Sequence, residues 1–133
     1  MLRKNAKLDL LRRVPLFSEC SKSQLAEIAT IADEIDVASG KTLIGEGERG
    51  RQFFVVIDGS VKVTKKGRNV PIRGGGEFFG EIALLSDART NATVTATSPV
   101  RALVVVHQFR GRIKKVAGDP AEGPPLARRA LGT

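Results

Sequence analysis

The stretch FFVVIDGSVKV, residues 53–63, joins two β-rich runs through Asp58-Gly59. Both turn positions favour residues that tolerate positive φ, so the pair predicts a tight hairpin. Working outward, further short β-rich runs fall at 42–44, 70–72, 92–96 and 100–106. Glycines punctuate them: Gly40, Gly45, Gly47, Gly50, Gly59, Gly67 and the triplet Gly74, Gly75 and Gly76. Lys66-Gly67 is a second hairpin signal. Short strands with regular turn signals predict a β-sandwich or barrel.

Both flanks of this region read as helical. Leu8, Leu11 and Val14, with Leu10, form one apolar stripe that Pro15 stops. Ser21 and Gln24 match a capping box, in which each side chain satisfies the other residue's orphan backbone donor. Leu25, Ile28, Ala29 and Ala32 follow at helical spacing, and Ile31 and Ile35 widen the stripe. The period changes after Asp36. From His107 it turns helical again, with Phe109, Ile113 and Val116 on one face and Arg110, Arg112, Lys114 and Lys115 on the other. Gly118-Asp119-Pro120 ends that helix, and a further helix is expected over 126–131. The layout is helical over 1–36, a barrel over 37–107 and a helical segment with tail over 108–133, all one domain.

The chain has 133 residues, enough for one domain that buries roughly two-thirds of its unfolded surface. Its single cysteine, Cys20, cannot close an internal disulfide, which excludes a stapled secreted scaffold. No apolar run approaches the ~20 residues of a membrane span. The opening MLRKNAKLDLLRRVPLF is too interrupted by charge for a signal peptide. The expected compartment is cytoplasmic. The net charge of +8 favours acidic partners or a phosphate-bearing ligand. Much of the excess lies at the ends, in Arg3, Lys4, Lys7, Arg12 and Arg13, and in Arg110, Arg112, Lys114, Lys115, Arg128 and Arg129.

Catalytic machinery is not apparent. One histidine, His107, cannot supply the two or three imidazoles of a metal-dependent barrel. Cys20 has no histidine close in sequence and reads as packing. No nucleophile elbow, P-loop or Cys-x-x-Cys pair occurs. The chain is therefore expected not to be an enzyme and to need no cofactor or metal.

The informative segment is GGGEFFGEIALL, residues 74–85. Gly80 lets the backbone approach a ligand closely, and a short helical turn after it would aim unpaired N–H groups at an anion. Glu81 would repel a phosphate, so a hydroxyl such as that of a ribose suits it better. Arg89 offers the bidentate donor that phosphate recognition favours. The bland alternative is a glycine turn beside a surface carboxylate and a solvated arginine.

Phe79-Gly80-Glu81-Ile82-Ala83-Leu84-Leu85 resembles the F-G-E-[LI]-A-L motif of cyclic nucleotide-binding domains. Ala92-Thr93-Val94-Thr95-Ala96 is similar to the A-T-V-x-A strand that follows it. Leu16-Phe17, Gly45-Glu46-Gly47-Glu48 and the hairpin-like 53–63 fall in the family's order. The resemblance covers roughly 10–116. It implies a mainly β fold, an eight-stranded antiparallel jelly-roll barrel (a double-stranded β-helix) flanked by N- and C-terminal α-helices. It also implies a regulatory domain that binds cAMP or cGMP. In that family Glu81 would take the ribose 2′-hydroxyl, and the amides of Gly80, Ile82 and Ala83 would approach the cyclic phosphate. Arg89 would pair with the phosphate charge.

One departure stands out. The family has proline-arginine before its A-T-V strand, where this chain has Ala88-Arg89-Thr90-Asn91. Counted from Gly80-Glu81, the arginine position falls on Thr90, and Arg89 takes the proline's place. Either Arg89 reaches the phosphate through a one-residue shift, or it points away and the site is degenerate. A hydroxyl at Thr90 could contact the 2-amino group of guanine, which brings in cGMP, while family frequency favours cAMP. A lid over the purine would have to come from Leu126, Arg128, Arg129 and Leu131 or from a partner chain. The expected partners are the cyclic nucleotide and an unidentified effector domain or protein, with a homodimer as a family-level expectation. Without a helix-turn-helix after the barrel, nucleic acid is not an expected partner. The competing class is a barrel of the same fold that serves as a dimerisation or docking module without nucleotide.

Overall fold

The computed structural model describes residues 3–73, 77–80, 89–106 and 109–117. Helix α1 (Lys4–Arg12), a 3-10 turn (Pro15–Phe17) and helix α2 (Lys22–Thr30) lead into the strands. These are β1 (Asp33–Val37), β2 (Thr42–Ile44), β3 (Gln52–Asp58), β4 (Ser60–Lys65), β5 (Arg68–Arg73), β6 (Phe78–Phe79), β7 (Thr93–Ala96) and β8 (Val100–Val106). Helix α3 (Arg110–Ala117) follows. The strands form two four-stranded antiparallel sheets, ordered β1-β8-β3-β6 and β2-β7-β4-β5. The eight strands and flanking helices agree with the jelly-roll expectation.

Strands β3 and β8 are apolar almost without interruption because both of their faces are covered. Phe53 and Val55 of β3, with Leu103 and Val105 of β8, pack against Leu8, Leu11, Phe17, Leu25 and Ile28 of the helical layer. The intervening Phe54, Val56, Ala102 and Val104 face the second sheet, where they meet Val61, Val94 and Ala96. Period-2 alternation thus divides two continuous runs between two cores.

The capping box is present as the sequence predicts. Gln24 N–H donates to Ser21 Oγ at 3.1 Å, and Ser21 N–H donates to Gln24 Oε1 at 2.7 Å. The other end of the same amide, Gln24 Nε2, donates to the Val116 carbonyl of α3 at 2.9 Å. An eight-residue helix has little stability alone. Ile113, fully buried in the helical core, holds α3 by roughly 1.5–3 kcal/mol of burial. Gln24 fixes its last turn. Gln24→Ala removes both contacts, so we expect a stability loss of about 0.5–2 kcal/mol, the range for a lost cap. Amide exchange in α3 should accelerate as well. Ser21→Ala removes only the cap and should leave exchange in α3 unchanged; equal effects of the two variants on α3 would contradict this division.

Three expectations need correction. The apolar stripe does not carry α2 through to Ile35. The helix ends at Thr30, and Ile31 caps it with φ −106° and ψ 2°. Ile35 belongs to β1, facing the inter-sheet core with Val37, while Asp36 points outward to Arg101, its cross-strand partner, at 3.0 Å. Ile28, Ile31 and Ile35 satisfy the helical spacing, but Ile35 and Val37 also satisfy the strand period, and pairing with β8 decides.

Second, Asp58-Gly59 is no hairpin. Strand β3 lies in one sheet and β4 in the other. Gly59 does adopt φ +102°, yet a Cβ there would lie 2.4 Å from Pro99 O and 2.9 Å from Val100 Cα. The residue is a corner that moves the chain between sheets, pressed onto the turn before β8. Lys66-Gly67, with φ 51° and 80°, forms the actual two-residue hairpin, closing the Lys65–Arg68 pair between β4 and β5. Third, β1 and the two-residue β6 lie outside the expected strand set. Phe78 packs beside Phe53, and Phe79 faces the inter-sheet core.

Cys20 is half-buried against the helical core. Burial pushes its thiol pKa up, which lowers the thiolate fraction at neutral pH and suits a packing role. His107, Gly118-Asp119-Pro120 and the 126–131 segment lie outside the described residues. Among the described residues, no helix is long and apolar enough to cross a membrane.

Candidate functional site

The predicted ligand-binding segment begins at Gly80 and ends at Arg89-Thr90, and the barrel brings these two ends to the same neighbours. Gly80 has φ +83° and sits so close to the start of β3 that a Cβ would lie 2.4 Å from Gln52 O and 3.0 Å from Ile44 Cδ1. Only glycine fits both the conformation and the space. Thr90 docks onto the loop between β2 and β3. Its N–H donates to Glu48 O at 2.8 Å, and its carbonyl accepts from Gly47 N–H at 2.9 Å. The Thr90 hydroxyl lies within donating distance of both Gly45 O and Glu48 O. Thr90 therefore staples two loops together.

Arg89 forms an isolated antiparallel bridge with Arg49. Its side chain turns to the same loop, and Nη1 donates to Gly47 O at 2.9 Å. Glu81, Ile82 and Ala83 lie outside the described residues. Of the six predicted site residues, the described ones are Gly80, Arg89 and Thr90, and all three contact the 44–52 segment.

That segment, with Thr90, also lines a small pocket. Ile44, Glu48, Arg49, Arg51, Gln52 and Thr90 contribute to its wall. Two residues of that wall, Ile44 and Gln52, are also the ones against which Gly80 packs. Arg49 and Arg51 were not among the predicted site residues. The run Glu48-Arg49-Gly50-Arg51 carried the signal, with two cations either side of a glycine that the fold buries. The Glu48 carboxylate stays close to its own turn, where a Cβ on Gly45 would lie 2.7 Å from Glu48 Cδ.

The two facing four-stranded antiparallel sheets define a jelly-roll domain. The sequence profile of the "Cyclic nucleotide-binding domain" family matches residues 34–111, and this chain belongs to that family. The cGMP-dependent protein kinase egl-4 of Caenorhabditis briggsae is 32% identical over 118 residues, 84% of this chain and 16% of the kinase. The cAMP-dependent protein kinase regulatory subunit of Schizosaccharomyces pombe is 31% identical over 124 residues, 92% of this chain and 30% of the relative. The chain thus spans at most 30% of the length of these two relatives.

Among solved structures, the regulatory domain of Toxoplasma gondii PKA with cAMP superposes at a TM-score of 0.74 and 28% identity. That match covers 86% of this chain and 46% of that one. The N-terminal domain of a transcriptional regulator from Streptomyces coelicolor A3(2) superposes at 0.70 and 32% identity, covering 93% of this chain and 90% of that one. The fold and family expected from the sequence therefore hold, and the matched family is a binding domain.

Proposed function

We propose that this chain binds a cyclic nucleotide, cAMP or cGMP, beside Gly80 and relays its occupancy to an effector. The observation that carries the reading is Gly80 itself, held at φ +83° against Gln52 O and Ile44 within the family-matched residues. In this reading Glu81 takes the ribose 2′-hydroxyl, and the amides of Gly80, Ile82 and Ala83 face the cyclic phosphate. Arg89 and Thr90 close the segment on the 44–52 loop. Both cAMP-dependent and cGMP-dependent proteins stand among the relatives, so both nucleotides belong in the test. No catalysis is assigned to the chain, and a cytoplasmic setting suits a receptor for a cytoplasmic messenger.

The relay runs through α3. Ile113 ties this helix to the core that contains Phe53, and Phe78 packs against the same core one residue before Phe79-Gly80. A ligand that moves the segment after Gly80 changes the packing of α3 only if it binds the two positions with different affinity. The effector is a separate domain or a partner protein, a second copy of the chain included.

A second reading, a docking barrel without nucleotide, draws on Thr90 at the arginine position. Calorimetric titration with cAMP and with cGMP separates the two. Saturable binding of either supports the sensor, whereas a folded protein that binds neither at millimolar ligand belongs to the docking class.

A further inference from the structure

We infer that Arg49 and Arg51, from the loop joining β2 to β3, supply the cationic contact to the ligand's phosphate in place of the arginine at Arg89. The inference rests on the nucleotide reading above and deepens it. A cyclic phosphate is a monoanion, and a guanidinium that meets it needs a free donor face next to the close-approach glycine. Arg89 is anchored to Gly47 O, and Thr90 is bonded to Gly45 O and Glu48 O. Arg49 and Arg51 differ from both. They line the pocket that abuts Ile44 and Gln52, the two residues on which Gly80 packs. Both are exposed, and among the described residues neither guanidinium has a hydrogen-bond or ion-pair partner. The backbone bridge between Arg49 and Arg89 sets these two residues opposite each other. Among the described residues, Glu48 is the one acid in the pocket wall.

The test is calorimetric titration of the whole chain with cAMP and with cGMP, comparing the parent protein with Arg49→Ala/Arg51→Ala and with Arg89→Ala. Circular dichroism confirms that each variant is folded, as substitution of exposed side chains should allow. The double variant is expected to lose about one to two decades of affinity, the worth of a charge-assisted contact, while Arg89→Ala, which removes the bond to Gly47 O, is expected to lose less than the double variant. Arg49→Lys/Arg51→Lys should recover part of the loss, because the role is charge. Binding by the double alanine variant within about twofold of the parent would overturn the inference and leave the nucleotide reading standing. A loss in Arg89→Ala as large as that in the double variant overturns it as well, as does a lysine pair no better than alanine. If the folded parent protein binds neither nucleotide, both the inference and the reading beneath it fall.

Discussion

Replacing Phe53 with alanine is expected to lower the unfolding free energy by about 3–5 kcal/mol, the usual cost of emptying a large aromatic site. Domains of this kind are stable by only about 5–15 kcal/mol, so much of the population should unfold in mild denaturant. The ring is fully buried in β3. It meets Phe17 edge-on, with centroids 6.2 Å apart and planes at 83°, and Phe78 at 6.2 Å and 54°. Each such pair adds about 0.5–1.5 kcal/mol beyond burial. Truncation therefore removes the residue that joins the 3-10 turn, β3 and β6. With no Trp or Tyr in the chain, the measurement is urea unfolding followed by far-UV circular dichroism. A loss below about 1 kcal/mol would show that the helical layer can collapse onto the vacancy, against the close packing expected of a core.

Gly80→Ala is expected to be nearly as damaging and to act on function too. Its Cβ would lie 2.4 Å from the backbone oxygen of Gln52, at the edge of a paired strand that cannot easily yield. Backbone strain at positive φ costs about 1–3 kcal/mol, and forced overpacking adds about 1–3. We expect a combined loss of about 2–5 kcal/mol and at least a tenfold fall in cyclic nucleotide affinity. Gly67→Ala provides the comparison. Gly67 also has positive φ, at +80°, but a Cβ there meets nothing within 4 Å. It should cost about 1 kcal/mol and leave ligand affinity unchanged. Should both variants lose the same stability, the contact with Gln52 O is not what confines this position to glycine.

Much of the fold was legible in the sequence. The 42–44 and 100–106 runs coincide with β2 and β8 to the residue, and the two runs on either side of Asp58-Gly59 lie inside β3 and β4. Apolar runs bounded by glycine are poor in alternatives. The Ser21/Gln24 box was equally plain because it is local chemistry, complete within four positions. What stayed hidden depends on distant partners. Asp58-Gly59 and Lys66-Gly67 both announce positive φ, but turn chemistry fixes a dihedral and not which strands pair across it. Strand β1 was hidden because Ile35 continues the helical spacing of Ile28 and Ile31 while also alternating with Val37 as a strand does. Strand β6 has two residues, too few to establish any period.

The candidate site was legible in part for a similar reason. Gly80 could be named because close approach leaves a mark on residue type. Counting placed Thr90 where the family has arginine, but a count carries no information on where a side chain points. That Arg89 turns to Gly47, and that Arg49 and Arg51 stand at the pocket, follows from the 44–52 loop lying across both ends of the predicted site. Those residues are far apart in sequence, and no spacing rule links them.

The corner at Gly59 also bears on how the chain acquires its shape. Since β3 does not fold back on β4, β4 and β5 are the one strand pair among the described residues closed by a two-residue turn. Hairpins of that kind form in about 1–10 μs. Strand β3 instead finds β6 and β8, while β1 waits for β8 to pair Asp33 with Val104. Such non-local closure typically stretches folding to milliseconds or seconds. During synthesis, the sheet beneath the helical layer cannot assemble until β8 has emerged. Until then the largely apolar β3 lacks the partner that covers one of its edges, and a nascent chain paused before Val100 offers that edge to any neighbouring chain.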